Sequence, residues 1–357
     1  MKALQDLRFG YVPYSATFDR PGDRRRFVHY AQKRSLQFEL ADPSKAYDVV
    51  VLSERADVSV WQKYRQGKVV YDLIDSYLAI PTFDWKGLLR GTAKFLSRQS
   101  RYPQLNYWEA LRAMCRRADA VVCTTLEQQN QIREFCPNTH IVLDFHTMVM
   151  QTTKSNYAAA KPFRIVWEGL PQTLGSLAAI REPLKELQLR TPIELRVITD
   201  PEYFRFLGGF GRTRTQATLD RILPGAILHP WQETTLAQQI CDCDLAIIPI
   251  DLNDPFVAGK PENKLLLFWR LGMPTLASAS PAYTRAMTAA NQDLTCRTQA
   301  EWVEKLEQLI GDESARRHAG ESAYVFAQTK YSEADSLQHW DTVFHSLFAS
   351  ENTACAA

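Results

Sequence analysis

Short apolar segments alternate with longer helical patterns along this chain, and the alternation occurs in two rounds. A strand, a helix and a second strand in succession form the unit of a parallel β-sheet, so each round predicts one such sheet with helices on its faces. The predicted strands are Leu7–Val12, Leu36–Leu40, Asp48–Leu52, Val69–Leu73, Ala120–Cys123 and Ile141–Leu143 in the first round, and Phe163–Trp167, Ile193–Thr199, Ala226–His229, Leu245–Ile250 and Pro274–Ala277 in the second. The sequence therefore predicts an α/β fold with two parallel sheets.

The boundary between the two rounds lies in TMVMQTTKSNYAAAKP, the segment from Thr147 to Pro162, which has no sustained period and ends in proline. Such a segment indicates a linker. At 357 residues the chain is also longer than one typical domain. We predict an N-terminal domain over residues 1–150, a linker over 151–162, a C-terminal domain over 163–330 and a last helix over 331–350.

Composition narrows the classes of protein to which the chain can belong. The formal net charge is only +2, so bulk charge gives no reason to expect a nucleic-acid partner. The 7 cysteines lack the paired spacing of a zinc site or a disulfide scaffold, which indicates a reducing, cytoplasmic location. The N-terminal MKALQDLRFGYV lacks the apolar stretch of a signal peptide, and there is no apolar run of about 18 residues that would predict a transmembrane helix.

One local cluster of positive charge lies near the N-terminus. Its members are Arg20, Arg24, Arg25, Arg26, Lys33 and Arg34, in the first loop and in a helix predicted over Asp23–Arg34. Two interpretations stay open. The cluster forms a surface for an anionic acceptor or for peripheral contact with anionic lipid, or it is a solvated helix face without a ligand.

The segment with the strongest chemical signal is DLAIIPIDLNDPFVAGKPENKLLLFWRLGMPTLAS, from Asp244 to Ser278. A buried strand leads into a loop, and the loop passes through GKP into a helix that begins near Asn263. The first N–H groups of a helix and the positive end of its dipole favour an anion, and glycine allows the chain to approach one closely. With Lys260 and Lys264 as neutralising cations, this bend predicts a diphosphate site.

The same segment resembles the donor motif of the GT-B glycosyltransferases, above all of glycosyltransferase family 4 (group 1). The match consists of Pro249 after the strand, the run GKPENKLL, and LGMPTLAS from Leu271 to Ser278. Three further segments resemble that family in the same order: YDLIDSY, RADAVVCTTLEQQNQI and RIVWEGLPQTLGSL, which begin at Tyr71, Arg117 and Arg164. The resemblance covers nearly the whole chain.

The resemblance implies a GT-B fold, in which two Rossmann-like domains face each other across a cleft and the last helix crosses back to the first domain. It also implies an enzyme that moves a sugar from a nucleotide-diphosphate sugar to an acceptor hydroxyl of a polysaccharide, a lipid-linked glycan or another glycoconjugate. No cofactor or metal ion is implied, because helix dipoles and cations stabilise the departing diphosphate. The chain departs from the family at Leu267, where the family often has a glutamate that binds the ribose.

The resemblance and the residue chemistry together assign the donor to the C-terminal domain and the acceptor to the N-terminal domain. The donor-binding candidates are Gly169, Thr173, Lys260, Glu262, Asn263 and Lys264, the acceptor-binding candidates are Tyr14, Arg20 and Arg24, and the candidate catalytic base is Asp75. Explanations that need no ligand stay open. Asn263 can be a helix N-cap, Glu262 a first-turn carboxylate that complements the dipole, and Asp75 a cap or a loop contact.

Two rival functions share the predicted fold. A protein that has lost catalysis and serves as a binding or scaffold subunit would account for Leu267. A nucleotide-sugar epimerase is a second class of enzyme on the same architecture. The sequence leaves open the base and the sugar of the donor, the acceptor, the stereochemical outcome and the oligomeric state.

Overall fold

The computed structural model describes residues 3–81, 85–149, 152–206 and 210–349 of the chain. Contacts between residues divide it into two compact units. The first unit is Met1–Phe145 with Gly259–Pro261 and Glu333–Ala357, and the second is His146–Ala258 with Glu262–Ser332. Among the helices of the described residues, none combines the length and the apolar character needed to cross a bilayer.

The first unit is built on a six-stranded parallel sheet. Its strands are β1 (Phe9–Val12), β2 (Phe38–Leu40), β3 (Val49–Ser53), β4 (Lys68–Asp72), β5 (Ala120–Cys123) and β6 (Thr139–Ile141). The order across the sheet is β2-β1-β3-β4-β5-β6, so the direction of chain progress reverses between β1 and β3. The accompanying helices are α1 (Pro21–Arg24), α2 (Phe27–Lys33), α3 (Val58–Trp61), α4 (Trp85–Leu96), α5 (Tyr107–Arg117) and α6 (Leu126–Ile132).

Strand β3 shows why this sheet has a core on each face. All of its residues are buried. Val50 and Leu52 belong to one hydrophobic core, whereas Val49 and Val51 belong to another. Side chains along a strand alternate between the two faces of its sheet, so an uninterrupted apolar run needs a core on both faces. The run VVVLS therefore forms a central strand of a parallel sheet.

The second unit repeats this plan. Its strands are β7 (Phe163–Glu168), β8 (Ile193–Thr199), β9 (Glu202–Phe206), β10 (Phe210–Arg214), β11 (Ile227–Pro230), β12 (Leu245–Ile248), β13 (Thr275–Ser278) and β14 (Thr295–Cys296). A six-stranded parallel sheet has the order β11-β8-β7-β12-β13-β14, and β9 with β10 forms an antiparallel hairpin. The helices are α7 (Arg181–Gln188), α8 (Thr215–Ile222), α9 (Glu233–Cys241), α10 (Pro255–Ala258), α11 (Asn263–Arg270), α12 (Pro281–Ala289), α13 (Gln299–Gly311) and α14 (Glu313–Lys330).

The last helix, α15 (Glu333–Ser346), belongs to the first unit. Its Trp340 and Phe344 are almost completely buried. Both side chains contact Phe27 of α2, and Phe344 also meets Phe9 of β1 edge to face, with 5.5 Å between the ring centres. Full burial of an aromatic side chain contributes about 1.5–3 kcal/mol. These aromatic contacts therefore fix α15 on one face of the first sheet.

The predicted α/β class with two parallel sheets is confirmed. The helix predicted over Asp23–Arg34 is wrong as a single helix, because the chain leaves helical geometry at Arg26 (φ −127°, ψ −116°) between α1 and α2. The physical reason is that the Arg26 side chain turns into the unit, where it is fully buried.

Helix α4 and the hairpin of β9 and β10 are not predicted from the sequence. Gly87 and Gly91 lower the helix propensity of α4. Both approach their neighbours so closely that an added Cβ would collide with the Trp108 ring at Gly87 and with the carbonyl oxygen of Gln104 at Gly91. Tertiary packing therefore overrides the local propensity in α4.

Candidate functional site

The order of strands identifies the candidate site of each unit. In an open parallel sheet, ligands bind beyond the carboxyl ends of the strands, at the point where the strand order reverses. This point lies between β1 and β3 in the first unit and between β7 and β12 in the second. The residues that follow these strands are the candidates.

In the second unit, the reversal point brings Lys264 to the end of β7. Lys264 lies on the first turn of α11, and its Nζ donates a hydrogen bond to the backbone carbonyl oxygen of Glu168, the last residue of β7. The same Nζ lies 4.8 Å from the centre of the Trp167 ring. The structure thus joins the strand end and the start of α11, which are far apart in the sequence.

Gly169 is the residue that makes this contact possible. A Cβ at Gly169 would lie 2.6 Å from Lys264 Nζ and 2.9 Å from the ring of Trp167. A cation next to the first turn of a helix is unfavourable beside the positive end of the dipole, unless an anion is also present. The backbone N–H groups of α11 and Lys264 thus lie together in an arrangement that suits an anion, and the donor roles of Lys264 and Gly169 stay predictions.

Two other side chains at this edge take part in local structure. The Glu168 carboxylate accepts a hydrogen bond from Trp231 Nε1 at 3.1 Å, and Trp231 follows directly on β11. Thr173 lies in a 3-10 helix over Pro171–Ile180, where its hydroxyl donates to the carbonyl oxygen of Leu170 at 2.8 Å. The donor role of Thr173 stays a prediction.

Glu262 and Asn263 occupy positions different from those expected. Glu262 is the N-cap residue of α11, without a side-chain capping bond, and its backbone is already near-helical (φ −70°, ψ 7°). Asn263 therefore lies inside the first turn, and its interpretation as the N-cap is wrong. The Glu262 side chain is buried and hydrogen-bonded to Tyr331, and burial together with the charge of Glu262 raises the pKa of Tyr331 to about 12. Leu267 of the same helix is also buried.

In the first unit, Tyr14 follows β1, Glu54 follows β3 directly, and Asp75 follows β4. The carboxylate of Glu54 accepts the backbone N–H of Asp75 at 3.2 Å. The Tyr14 hydroxyl is buried and has no hydrogen-bond partner within the described residues. Burial and then the charge of Glu54 raise the pKa of Tyr14 well above its ordinary value. The loop with Tyr14 is held by Asp23, whose Oδ1 accepts the Tyr14 N–H at 2.8 Å.

The two carboxyl groups of Glu54 and Asp75 are in a setting that favours protonation. Burial raises the pKa of Glu54 to about 8, and the negative charges of Asp75 and Asp72 add to this shift. Burial also raises the pKa of Asp75, while the cations Lys260 and Arg90 lower it. The pKa values of both carboxyl groups are therefore raised, which makes both groups candidates for proton transfer near neutral pH.

A fully buried ion pair fixes the strand ends next to this pair. Arg26 donates to both carboxylate oxygens of Asp72, the last residue of β4, at 2.7 and 2.6 Å. Its third nitrogen donates to Asp144 Oδ1 at 3.1 Å and to the carbonyl oxygen of Val142 at 2.8 Å. Both carboxylate oxygens of Asp72 are thus paired with Arg26. Through these bonds the Arg26 side chain connects the ends of β4 and β6 to the start of α2.

The basic cluster near the N-terminus is not one free surface. Arg26 pairs with Asp72, Lys33 with Glu333 and Arg34 with Asp341. Arg20 is exposed at the start of α1, and Arg24 is partly buried at its end. The acceptor role of Arg20 and Arg24 stays a prediction.

Glu54 and Trp231 are the residues at these edges that sequence reasoning does not find. Each follows directly on a strand, and that position is the only available signal. The sequence does not show which strands flank the reversal point, so it cannot separate Glu54 from any other polar residue at a strand end.

Comparison with known proteins supports the fold. No protein-family model and no curated protein matches the sequence. The alpha-glucosyltransferase AGT, solved in complex with UDP, is similar over 95% of this chain and 100% of its own, with 10% identity and a TM-score of 0.57. WaaG, a glycosyltransferase involved in lipopolysaccharide biosynthesis, is similar over 94% and 99%, with 12% identity and a TM-score of 0.53.

TarM from S. aureus, solved with ligands that include UDP, is similar over 83% of this chain, with 9% identity and a TM-score of 0.56. The match covers 55% of TarM, so the chain spans about half the length of that protein. At such low identity these similarities show the fold alone, which is the GT-B architecture of paired parallel sheets.

Proposed function

We propose that this protein transfers a sugar from a nucleotide-diphosphate sugar to an acceptor hydroxyl, with the donor bound by the second unit and the acceptor by the first. The observation that carries the proposal is the contact of Lys264 with the carbonyl of Glu168, across a glycine, at the reversal point of the second sheet. A lysine beside the first N–H groups of a helix, at the end of a parallel strand, is an arrangement that binds a diphosphate.

On the donor side, the diphosphate would accept hydrogen bonds from the first N–H groups of α11. Lys264 would turn from the Glu168 carbonyl to the phosphate, and Gly169 leaves the space for that movement. Charge develops on the departing diphosphate as its bond to the sugar breaks, so a fixed dipole and a cation lower the barrier without a metal ion. The complexes of AGT and TarM with UDP support a uridine diphosphate sugar as the first donor to test.

On the acceptor side, Asp75 would take the proton of the acceptor hydroxyl while the hydroxyl oxygen of the acceptor bonds to the anomeric carbon. Glu54 fixes the position of Asp75 through the backbone N–H. The buried hydroxyl of Tyr14 is a ready partner for a second acceptor oxygen. Lys260 belongs to the segment that groups with the first unit, where its charge acts on Asp75.

A panel of uridine, guanosine, adenosine and cytidine diphosphate sugars tests the proposal. We expect one donor to raise the melting temperature, since a ligand at 100 times its Kd adds about 2.7 kcal/mol of stability. Slow release of nucleotide from that donor indicates a transferase. Binding without turnover indicates a scaffold, and interconversion of the sugar indicates an epimerase. If no donor stabilises the protein, the proposal fails.

Lys264→Ala tests the phosphate site itself. We expect binding of the nucleoside diphosphate to weaken about 10- to 100-fold, the equivalent of ~1.5–3 kcal/mol for a hydrogen bond to a charged group. Binding of the nucleoside alone should not change. Lys185→Ala is the control, because Lys185 is an exposed lysine of the same unit that pairs with Glu182. Equal losses for the nucleoside and its diphosphate, measured by calorimetry, would remove Lys264 from the phosphate site.

A further inference from the structure

Three neighbouring strands of the second sheet end beside the proposed diphosphate site, and the residues at their ends are joined by hydrogen bonds. Strand β8 lies between β7 and β11 in the sheet. Glu168 ends β7, Thr199 ends β8, and Trp231 follows directly on β11. The backbone N–H of Trp231 donates to the carbonyl oxygen of Thr199 at 3.0 Å, and its Nε1 donates to Glu168 Oε1 at 3.1 Å. We call these three residues the β8 cluster.

Glu168 contributes to this cluster a carboxylate that the diphosphate does not use. Its backbone carbonyl oxygen accepts the hydrogen bond of Lys264, whereas its half-buried side chain is held by Trp231 through one oxygen. The second oxygen, Oε2, accepts no hydrogen bond from the described residues. A carboxylate only accepts hydrogen bonds, so a ligand group at Oε2 must be a donor. Phosphate oxygens are acceptors, and hydroxyl groups are donors.

A buried hydroxyl of the β8 cluster also lacks a partner. Thr199 is completely buried, and its Oγ1 makes no hydrogen bond within the part of the chain that the structure describes. The large majority of buried polar side-chain atoms in proteins are hydrogen-bonded, and an exception needs an explanation, of which a ligand is one. The cluster thus presents an open carboxylate oxygen and an unsatisfied hydroxyl at the ends of adjacent strands.

The order of groups at these strand ends matches the order of groups in a nucleotide. Lys264, which the proposed function assigns to the diphosphate, contacts the backbone of Glu168, and the Glu168 side chain contacts Trp231. An aromatic ring can stack on any nucleobase. The ribose connects the base to the diphosphate and carries two neighbouring hydroxyl groups as donors. We propose that the Glu168 carboxylate binds the ribose hydroxyls of the donor nucleotide, an inference that rests on the proposed function.

Helix α11 is less suited to supply this acceptor. The carboxylate of Glu262, at the start of the helix, is buried and hydrogen-bonded to Tyr331. Leu267, further along the same helix, is buried and has no polar group. Glu168 is only half-buried and keeps one oxygen open, so it offers the hydroxyls an acceptor at the end of β7. The chemical consequence is a preference for ribonucleotides over deoxyribonucleotides.

Nucleotides that lack one ribose hydroxyl test the inference directly. The donor panel first identifies the nucleoside diphosphate that binds, beginning with UDP, and calorimetry then compares it with its 2′-deoxy and 3′-deoxy forms. We expect at least one deoxy form to bind about tenfold more weakly, the loss that follows when one hydrogen bond to a charged group is removed. Glu168→Ala should abolish this preference. Glu168→Gln, which keeps one oxygen as an acceptor, should give an intermediate preference.

Three further variants separate the ribose contact from other effects. Lys264→Ala should weaken the binding of all forms alike and keep the preference, because the phosphates are the same in each form. Trp231→Phe keeps an aromatic ring but removes the donor that holds the carboxylate, so it should lower the preference without abolishing it. Glu182→Ala is the matched control, since Glu182 is an exposed glutamate of the same unit that pairs with Lys185, and it should change neither affinity nor preference.

The inference is overturned if the unmodified protein binds all three forms equally, or if Glu168→Ala keeps the preference. It is also overturned if Glu168→Ala weakens binding of the complete nucleotide sugar but not of its nucleoside diphosphate, because the carboxylate would then contact the transferred sugar. Each of these results leaves the proposed function standing, since the nucleotide still binds. If neither a nucleoside diphosphate nor a nucleotide sugar binds, the proposed function fails, and the ribose contact fails with it.

Discussion

The carboxyl ends of the two sheets carry different charged side chains. In the first unit, the carboxylate of Asp72 is buried at the end of β4, and Asp23 is buried beside the loop after β1. In the second unit, Asp200 and Asp251 follow strand ends but are exposed, and the side chain turned toward a strand end is Lys264. Under the proposed function, the first edge holds a proton and the second edge holds an anion. Chemistry is set by a few strand-end residues and not by the fold.

Two buried arginines, Arg26 in the first unit and Arg316 in the second, show the same difference. Arg26 pairs with the carboxylates of Asp72 and Asp144. Arg316 is equally buried, but within the described residues its guanidinium donates to backbone carbonyl oxygens, those of Tyr157, Leu309 and Ile310. Arg26 compensates anions at the candidate site, whereas Arg316 donates hydrogen bonds to carbonyl groups at the end of α13 and in the segment before β7.

Arg26→Met should therefore have the largest effect on stability. Removing one partner of a buried ion pair costs about 3–5 kcal/mol, because the other partner is left charged without compensation. The loss should be full at pH 7 and shrink as the pH falls toward 4, since Asp72, whose pKa burial already raises, becomes neutral there. Urea unfolding at pH 7 and at pH 4 measures the loss of stability and its change with pH.

Arg316→Met is the matched test of that comparison. Its neutral carbonyl partners do not titrate, so its loss of stability should be the same at both pH values. If the loss of stability in Arg26→Met is also independent of pH, uncompensated carboxylates are not the cause of that loss. Arg190→Met, which removes an exposed pair with Glu186 and Glu307, should cost less than about 1 kcal/mol.

Arg26 also marks the limit of what the sequence can predict. The strands and the GKPENK bend follow from periodicity and from Gly and Pro placement, which are local properties. The three consecutive arginines from Arg24 to Arg26 look alike in the sequence, yet one is completely buried and the others are not. Which of them turns inward depends on the position of Asp72, a partner 46 residues away along the chain. The position of Glu54 at the reversal point is not predicted for the same reason, because it depends on the order of the strands in the sheet.

Gly169→Ala should have an intermediate effect, confined to the anion site of the second unit. The new methyl carbon would lie only 2.6 Å from Lys264 Nζ, so the lysine must move. We expect the fold to hold and nucleoside diphosphate binding to weaken several-fold, less than in Lys264→Ala, because the charge stays nearby. Calorimetric titration with UDP checks this.

Gly175→Ala is the control for that substitution. Gly175 lies in the 3-10 helix that follows Gly169, and a Cβ there meets nothing within 4 Å. Its nucleotide affinity should equal that of the unmodified protein. If both alanine variants weaken binding equally, the effect comes from general disturbance of the segment and not from the space around Lys264.

Glu54→Gln should have the smallest effect, visible as a change in how stability depends on pH. A carboxyl whose folded pKa is raised to about 8 binds its proton more tightly in the folded state than in the unfolded state. Its contribution to stability is therefore complete below its ordinary pKa near 4.5 and is lost as the pH rises through about 8. Glutamine does not titrate, so the variant should lose less stability between pH 5 and pH 8 in urea unfolding experiments.

The charged groups that set this slope are Asp75 and Asp72, which raise the pKa of Glu54, and Arg55, which lowers it. Glu186→Gln, at a half-exposed site in the second unit, should leave the slope unchanged. An unchanged slope in Glu54→Gln would mean that Glu54 is already ionised at neutral pH. Asp75 would then lie beside a full negative charge, which would raise the pKa of Asp75 further. The first unit would then lack the protonated carboxyl group that distinguishes its strand ends from the proposed anion site of the second unit.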